Sequence, residues 1–115
     1  MPTFAKVPLS GSTNGRGVNV AATATAGTLI HTAVAGTSSF DEVWLYAVNT
    51  STSAVKLTVE HGGTASSDNI EITIPAESGL VLVSPGLFLN NSLVVRAFAG
   101  TTNVISIHGY VNRVS

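Results

Sequence analysis

The chain has 115 residues, with five lysines and arginines against six aspartates and glutamates, a formal net charge of −1, and no cysteine. This length suits one domain with a buried core. The lack of cysteine excludes disulfides, thiolate chemistry and cysteine-based zinc sites, and the near-zero charge excludes the basic surface that nucleic-acid binding requires.

Charged residues are unusually scarce, at 10% of the chain against about 25% in ordinary soluble domains. An uncharged surface promotes association. The composition therefore predicts an assembly protein whose surface is largely covered in its working state. The alternative is a surface rich in Thr, Ser and Asn that dissolves without charges.

The first 16 residues show no periodicity and contain turn-forming proline, glycine and serine. They lack the apolar run of a signal peptide. We predict an extended N-terminal arm over residues 1–16, which lies along a neighbouring subunit, and a folded domain over residues 17–115. A frayed terminus is the alternative. The candidate interface residues on the arm are Phe4, Lys6, Val7, Leu9 and Arg16.

Residues 41–61 carry the clearest strand pattern in the chain. Residues 43–48 form a continuous apolar run typical of a strand covered on both faces, and a turn of Asn, Thr and Ser follows. Residues 55–60 then alternate, which places Leu57 inward and Lys56 outward. We interpret this stretch as a β-hairpin around which the other strands are added.

Further strands are predicted wherever apolar alternation lies between turn residues. They cover residues 17–23, 28–34, 69–74, 79–84 with a continuation at 87–89, 92–99 and 104–114. The last two are expected to pair with each other. The fold class is therefore all-β: a single sandwich of about eight short antiparallel strands, of jelly-roll or Greek-key type, with the extended arm. The sheet edges show neither lysine runs nor prolines, so we expect them to pair across subunits.

No catalytic or metal-binding pattern is present, so we predict no enzyme activity, cofactor or metal. His31, His61 and His108 lack the spacing of a metal site, although one histidine per subunit could meet at an oligomer axis. The apolar stretches are far shorter than the roughly 20 residues of a membrane helix. Neither a membrane nor nucleic acid is expected as a partner.

Three aromatic residues are candidates for a sugar-binding site: Trp44, Tyr46 and Tyr110. Aromatic rings stack on the apolar faces of ligands, but a tryptophan in the middle of the most apolar strand is more often part of the core. We therefore expect Trp44 to be buried and keep a carbohydrate-binding module as an alternative function.

Five segments resemble a recurrent class of small virion proteins of tailed bacteriophages. They are AGTSS at 35–39, VNTSTSAVKLTV at 48–59, IPAESGLVL at 74–82, SLVVRAFA at 92–99 and VISIHGYV at 104–111. The similarity covers residues 27–114. Members of this class look like β-sandwich capsid decoration (cement) proteins or tail-associated proteins.

The resemblance implies a structural role and no catalytic residues. We expect a capsid decoration protein in the virion, which binds the major capsid protein or other virion proteins and stabilises the lattice through sheet-edge and arm contacts. A homo-oligomer is expected, with a trimer favoured because such proteins often sit at local three-fold points. The alternatives are a tail, neck or fibre subunit and the carbohydrate-binding module.

Overall fold

The computed structural model describes residues 3–115, which form two antiparallel sheets packed face to face as a β-sandwich. The strands in this range are β1 (Phe4–Pro8), β2 (Val18–Asn19), β3 (Thr28–Thr32), β4 (Phe40–Asn49), β5 (Val55–His61), β6 (Asn69–Ile74), β7 (Val81–Leu89), β8 (Val94–Ala99) and β9 (Ile105–Val114). The helical content of these residues is one short 3-10 turn, Ser66–Asp68. The predicted all-β sandwich is confirmed.

Sheet A has the strand order β1-β9-β4-β7, with the short β2 beside β9, and sheet B has the order β3-β8-β5-β6. The core lies between the sheets and is built from the inward positions of each alternating strand. Its fully buried side chains include Val43, Leu45, Leu57, Val59, Ile105 and Ile107. Leu57 points inward and Lys56 is exposed, as the alternation predicted. None of the described residues belongs to a helix long and apolar enough to cross a membrane.

The predicted hairpin of residues 41–61 is wrong, because its two strands belong to different sheets. β4 pairs with β7 and β9 in sheet A, whereas β5 pairs with β6 and β8 in sheet B. The expected pairing of the last two strands is wrong for the same reason, since β8 lies in sheet B and β9 in sheet A. Each of these connections runs from one sheet to the other. Two strands that each have one apolar face can bury those faces against one another from opposite sheets.

Asn49 stabilises the crossing from β4 to β5. Its buried Nδ2 donates to the carbonyl of Ser53 at 2.9 Å and to that of Ile74, at the end of β6, at 3.0 Å. Its Oδ1 accepts from the Ser51 amide at 3.0 Å. The side chain thus forms a local turn and also ties that turn to sheet B.

Residues 4–11 are part of the sandwich, which differs from the predicted arm. β1 pairs antiparallel with β9 from Phe4 to Pro8. Leu9 is 1% exposed in the core, and the Gly11 amide donates to the carbonyl of Ile30 in β3 at 2.9 Å. β1 shows no periodicity because, as an edge strand, it is exposed along most of its length. Two edge strands also contain proline, at Pro8 and Pro85, so the expectation of edges without proline is wrong.

Candidate interaction face

The outer face of sheet A carries a group of aromatic and large apolar side chains. In β4, Val43 and Leu45 point into the core, so Trp44 and Tyr46 point to the opposite face, where they are half-buried. The expectation that Trp44 belongs to the core is therefore wrong. The strand does not have two fully covered faces: it alternates aliphatic inward residues with aromatic outward ones.

A row of stacked groups crosses this face at Trp44. Its ring stacks on Tyr110 of β9 with 6.4 Å between ring centroids and 17° between the planes, and Lys6 Nζ lies 4.2 Å from the Tyr110 ring centroid. On the other side the indole contacts Gly86, where a Cβ would lie only 3.0 Å from the ring. Gly86 also has a φ of +77°, which favours glycine. Both rings therefore contact neighbours on this face, and Trp44 Nε1 is buried without a hydrogen-bond partner among the described residues.

Exposed apolar side chains follow β7 and the residues just before it. We name Leu80, Leu82, Leu87 and Phe88 the β7 ridge; their side chains are 62%, 47%, 37% and 58% exposed. Phe88 stacks on Phe40 with ring centroids 4.8 Å apart. Leu82 and Phe88 lie opposite the outward Tyr46 and Glu42, whereas Leu87 lies opposite the inward Val43, so the ridge follows the edge strand and not one face alone. Exposed apolar side chains concentrated along an edge strand are typical of interaction sites. The ridge adjoins the stacked row, since Tyr46 is the cross-strand neighbour of Leu82.

A buried ionic cluster joins the two sheets at another place. Asp41 in β4 is fully buried and accepts from Arg113 Nε at 2.7 Å and Nη2 at 3.0 Å, and from His31 Nε2 of sheet B at 2.8 Å. Burial by itself raises the pKa of Asp41, but the hydrogen bonds from Arg113 and His31, together with the charge of Arg113, outweigh it and hold that pKa below its ordinary value. The hydrogen bond to Asp41 raises the pKa of Arg113.

The geometry of this cluster indicates a structural role. The Ser10 amide donates to His31 Nδ1 at 3.0 Å, so the ring proton lies on Nε2 and is donated to Asp41. The Ser10 hydroxyl instead accepts from the Thr32 amide at 2.6 Å. Among residues 3–115, the hydrogen bonds of the imidazole go to the Ser10 amide and to Asp41, and not to a hydroxyl that could act as a nucleophile. An open groove of about 600 Å³ lies beside the cluster, and its ionisable lining residues, His31 and Arg113, are both engaged by Asp41.

A second buried carboxylate lies on the outer face of sheet B. Glu60 is 1% exposed because residues 25–27 fold over it. It accepts from the Thr25 hydroxyl and, at 2.7 Å, from the Gly27 amide. The chain thus covers this part of sheet B itself.

The three histidines lie apart. His31 is in the buried cluster, a ring nitrogen of His61 lies 3.0 Å from the Phe88 carbonyl, and His108 lies on the outer face of sheet A opposite Tyr46. Within residues 3–115, no group of three or more His, Cys, Asp or Glu side chains could hold a metal ion.

The predicted interface residues do not share one environment. Phe4 is 71% exposed, Lys6 lies over Tyr110, Val7 is half-buried and Arg16 lies in an exposed loop. Leu9 is in the core and is not available to a partner. Sequence reasoning missed the β7 ridge, whose signal was the run of large apolar residues on both sides of Pro85-Gly86.

Comparison with protein-family models, with curated proteins and with solved structures finds no match to this chain.

Proposed function

We propose that this chain is a structural virion protein, namely a capsid decoration (cement) protein that binds the capsid lattice and stabilises it. The observation that carries the proposal is the β7 ridge, with Leu80 62% and Phe88 58% exposed in a chain of which 10% is charged. Such a surface favours permanent contact with another protein over a free existence in water.

The strand orders support a jelly roll, the more specific fold that is part of this proposal. We propose a jelly roll, a two-sheet arrangement of eight strands found in capsid proteins. The strand orders are β1-β9-β4-β7 in sheet A and β3-β8-β5-β6 in sheet B. Strands that are consecutive in sequence repeatedly lie in opposite sheets, which is consistent with a jelly roll.

The partner in this proposal is the major capsid protein or another virion protein, and the chain acts as a homo-oligomer. Burying one fully exposed leucine or phenylalanine contributes about 1.5–3 kcal/mol before the costs of association. A few such side chains give a weak contact for one copy. Repetition over a lattice, or within an oligomer, makes weak contacts strong through multivalency.

A carbohydrate-binding module is the second candidate, favoured by one observation: Trp44, Tyr46 and Tyr110 share the outer face of sheet A. The stacked row weakens it, because Trp44 and Tyr110 already stack on each other, Lys6 covers the Tyr110 ring and Gly86 contacts the indole. Binding to a glycan array that is lost in Tyr46→Ala would support this candidate over the first.

The test of the first proposal is sedimentation of the purified chain with capsids of the phage that encodes it. We expect saturable binding at a fixed number of copies per capsid protein. Purified tails serve as the comparison, and saturable binding to tails alone would favour the tail, neck or fibre alternative. Absence of saturable binding to either particle would contradict a virion role.

A further inference from the structure

The edge of sheet A at β1 has backbone groups that no other described residue uses. Thr3 and Ser115 exchange two backbone hydrogen bonds, at 2.7 and 2.9 Å. In an antiparallel pair such exchange recurs at every second residue, so Ala5 and Val7 also direct their N–H and C=O groups toward β9. Phe4 and Lys6 consequently direct theirs away from the sheet, and both residues are exposed.

The other three edges are obstructed. β3 is covered by the preceding segment, since the Gly11 amide donates to the Ile30 carbonyl. β7 contains Pro85, and His61 contacts the carbonyl of Phe88. β6 has the exposed charge of Glu71 near its middle. β1 also carries a charge and a proline, Lys6 and Pro8, but a register centred on Ala5 keeps the two Lys6 side chains apart and leaves Pro8 outside the Phe4–Lys6 pairs.

We propose that the β1 edge pairs with the β1 edge of a second copy of this chain, antiparallel and about a two-fold axis at Ala5. This inference rests on the proposed assembly function and adds its partner and register. Phe4 then lies opposite Lys6 of the second copy, and each of the two Phe4–Lys6 pairs exchanges two N–H···O=C bonds. The two sheets A become one continuous sheet.

Neighbouring registers are less favourable. Centring the axis on Lys6 would bring two ammonium groups together and place Phe4 opposite Pro8, which has no N–H to donate. With the axis at Ala5, two small side chains meet at the close, non-hydrogen-bonded position. Lys6 Nζ remains over its own Tyr110 ring, next to the exposed ring of Phe4 from the second copy.

This pairing uses the same patch on both copies and closes as a dimer. A trimer needs a contact between two different patches. The β1 edge therefore favours a two-fold contact in the isolated chain over the trimer that the sequence led us to expect.

Cross-linking tests the register, because the chain has no native cysteine. In Ala5→Cys, the two new cysteines lie opposite each other with their Cα atoms about 4.5 Å apart, a distance that a disulfide can span. In the control Thr3→Cys, at the exposed residue just before β1, the thiols are four residues out of register and roughly 13 Å apart. Under mild oxidation we expect Ala5→Cys to give covalent dimer at least about tenfold faster than Thr3→Cys. Equal rates would overturn the proposed register.

Removing one donor tests the pairing itself. Lys6→Pro deletes the outward N–H but no bond to β9, whereas the matched control Lys6→Ala keeps that N–H. We expect Lys6→Pro to raise the monomer–dimer midpoint concentration by about tenfold or more and Lys6→Ala to change it less than about threefold. The unfolding temperature of Lys6→Pro confirms that the variant is folded.

Sedimentation equilibrium gives the readout, and a wild-type monomer at several hundred micromolar, or equal midpoints for the two variants, would overturn the inference. Capsid binding is measured separately. A monomeric chain that still binds capsids would reject the dimer alone, and a dimer that binds no particle would reject the virion role alone.

Discussion

The two outer faces of this sandwich follow the same alternation but carry different side chains. The outer face of sheet A carries Trp44, Tyr46 and Tyr110 and adjoins the exposed β7 ridge. The outer face of sheet B carries an exposed ion pair, Lys56 to Glu71 at 3.3 Å. It also carries Glu60, which the chain itself covers.

The difference shows that the two faces are completed in different ways. Sheet B satisfies its outward Lys56, Glu71 and Glu60 with one ion pair and with residues 25–27, and in its strands Leu29 is 41% exposed. Sheet A leaves more large apolar side chains exposed, and none of residues 3–115 pairs with the free side of β1. Substitutions on the outer face of sheet B should therefore change the fold or nothing, and substitutions on the outer face or the β1 edge of sheet A should change association.

The largest effect on stability is expected at the buried ionic cluster around Asp41, which joins the two sheets. Asp41→Ala should lower the free energy of unfolding by about 3–5 kcal/mol, because Arg113 and His31 lose their buried partner. The neighbouring Glu42→Ala, on the outer face, should change it by about 0.5 kcal/mol or less. Urea unfolding at pH 7 measures both, and equal losses would contradict the structural role of the cluster.

The same cluster predicts a pH dependence. The pKa of Asp41 is lower in the folded chain than its ordinary value, so its contribution to stability is present above the unfolded value of about 3.9 and is lost as pH falls through the folded pKa. We expect Asp41→Asn to reduce the loss of stability below about pH 4. An unchanged acid-unfolding profile in this variant would show that other carboxylates dominate.

Strand β5 of sheet B offers a comparison between an inward residue and its outward neighbour. Leu57→Ala should cost about 2–5 kcal/mol, since it leaves a cavity in the core. Lys56→Ala should stay within about 0.5 kcal/mol, because its ion pair is exposed. A large loss at Lys56 with a small one at Leu57 would mean that the register of β5 is inverted.

A smaller effect is expected at the carboxylate that sheet B covers. Glu60→Gln keeps the size of the side chain but replaces the charged acceptor by a neutral amide, so the Gly27 amide keeps only a neutral acceptor and the Thr25 hydroxyl must accept from the NH₂ instead of donating. We expect a cost of about 1–3 kcal/mol in thermal or urea unfolding. The exposed Glu71→Gln is the control, and an equal, negligible change in both would show that residues 25–27 do not depend on Glu60.

Local patterns in the sequence were enough for most of the strands and for their inward residues. The alternation at 55–60 placed Leu57 correctly, and β6 begins and ends where it was predicted. An alternating strand needs one buried face whichever sheet it joins. Periodicity therefore could not show that β4 and β5 lie in opposite sheets.

The candidate site was harder to predict because it departs from the rule that large apolar residues are buried. Trp44 was expected in the core for its hydrophobicity, yet it lies on the outer face, as the alternation of aromatic with aliphatic residues in β4 required. β1 gave no pattern at all, because an exposed edge strand is held by backbone hydrogen bonds, which leave no mark on residue type.

The central claim is that sheet A, and not sheet B, binds the partner. The direct test is the occupancy of capsids by two double variants: Leu82→Ser with Phe88→Ser on sheet A, and Lys56→Ala with Thr73→Ala on sheet B. Loss of the Phe40 stack should cost the first variant about 0.5–1.5 kcal/mol of stability, in addition to the partly buried area that Leu82 and Phe88 lose. We expect its occupancy to fall by about tenfold or more, and that of the second to stay within about twofold. Wild-type occupancy of the sheet A variant, or a comparable loss in the sheet B variant, would contradict the account.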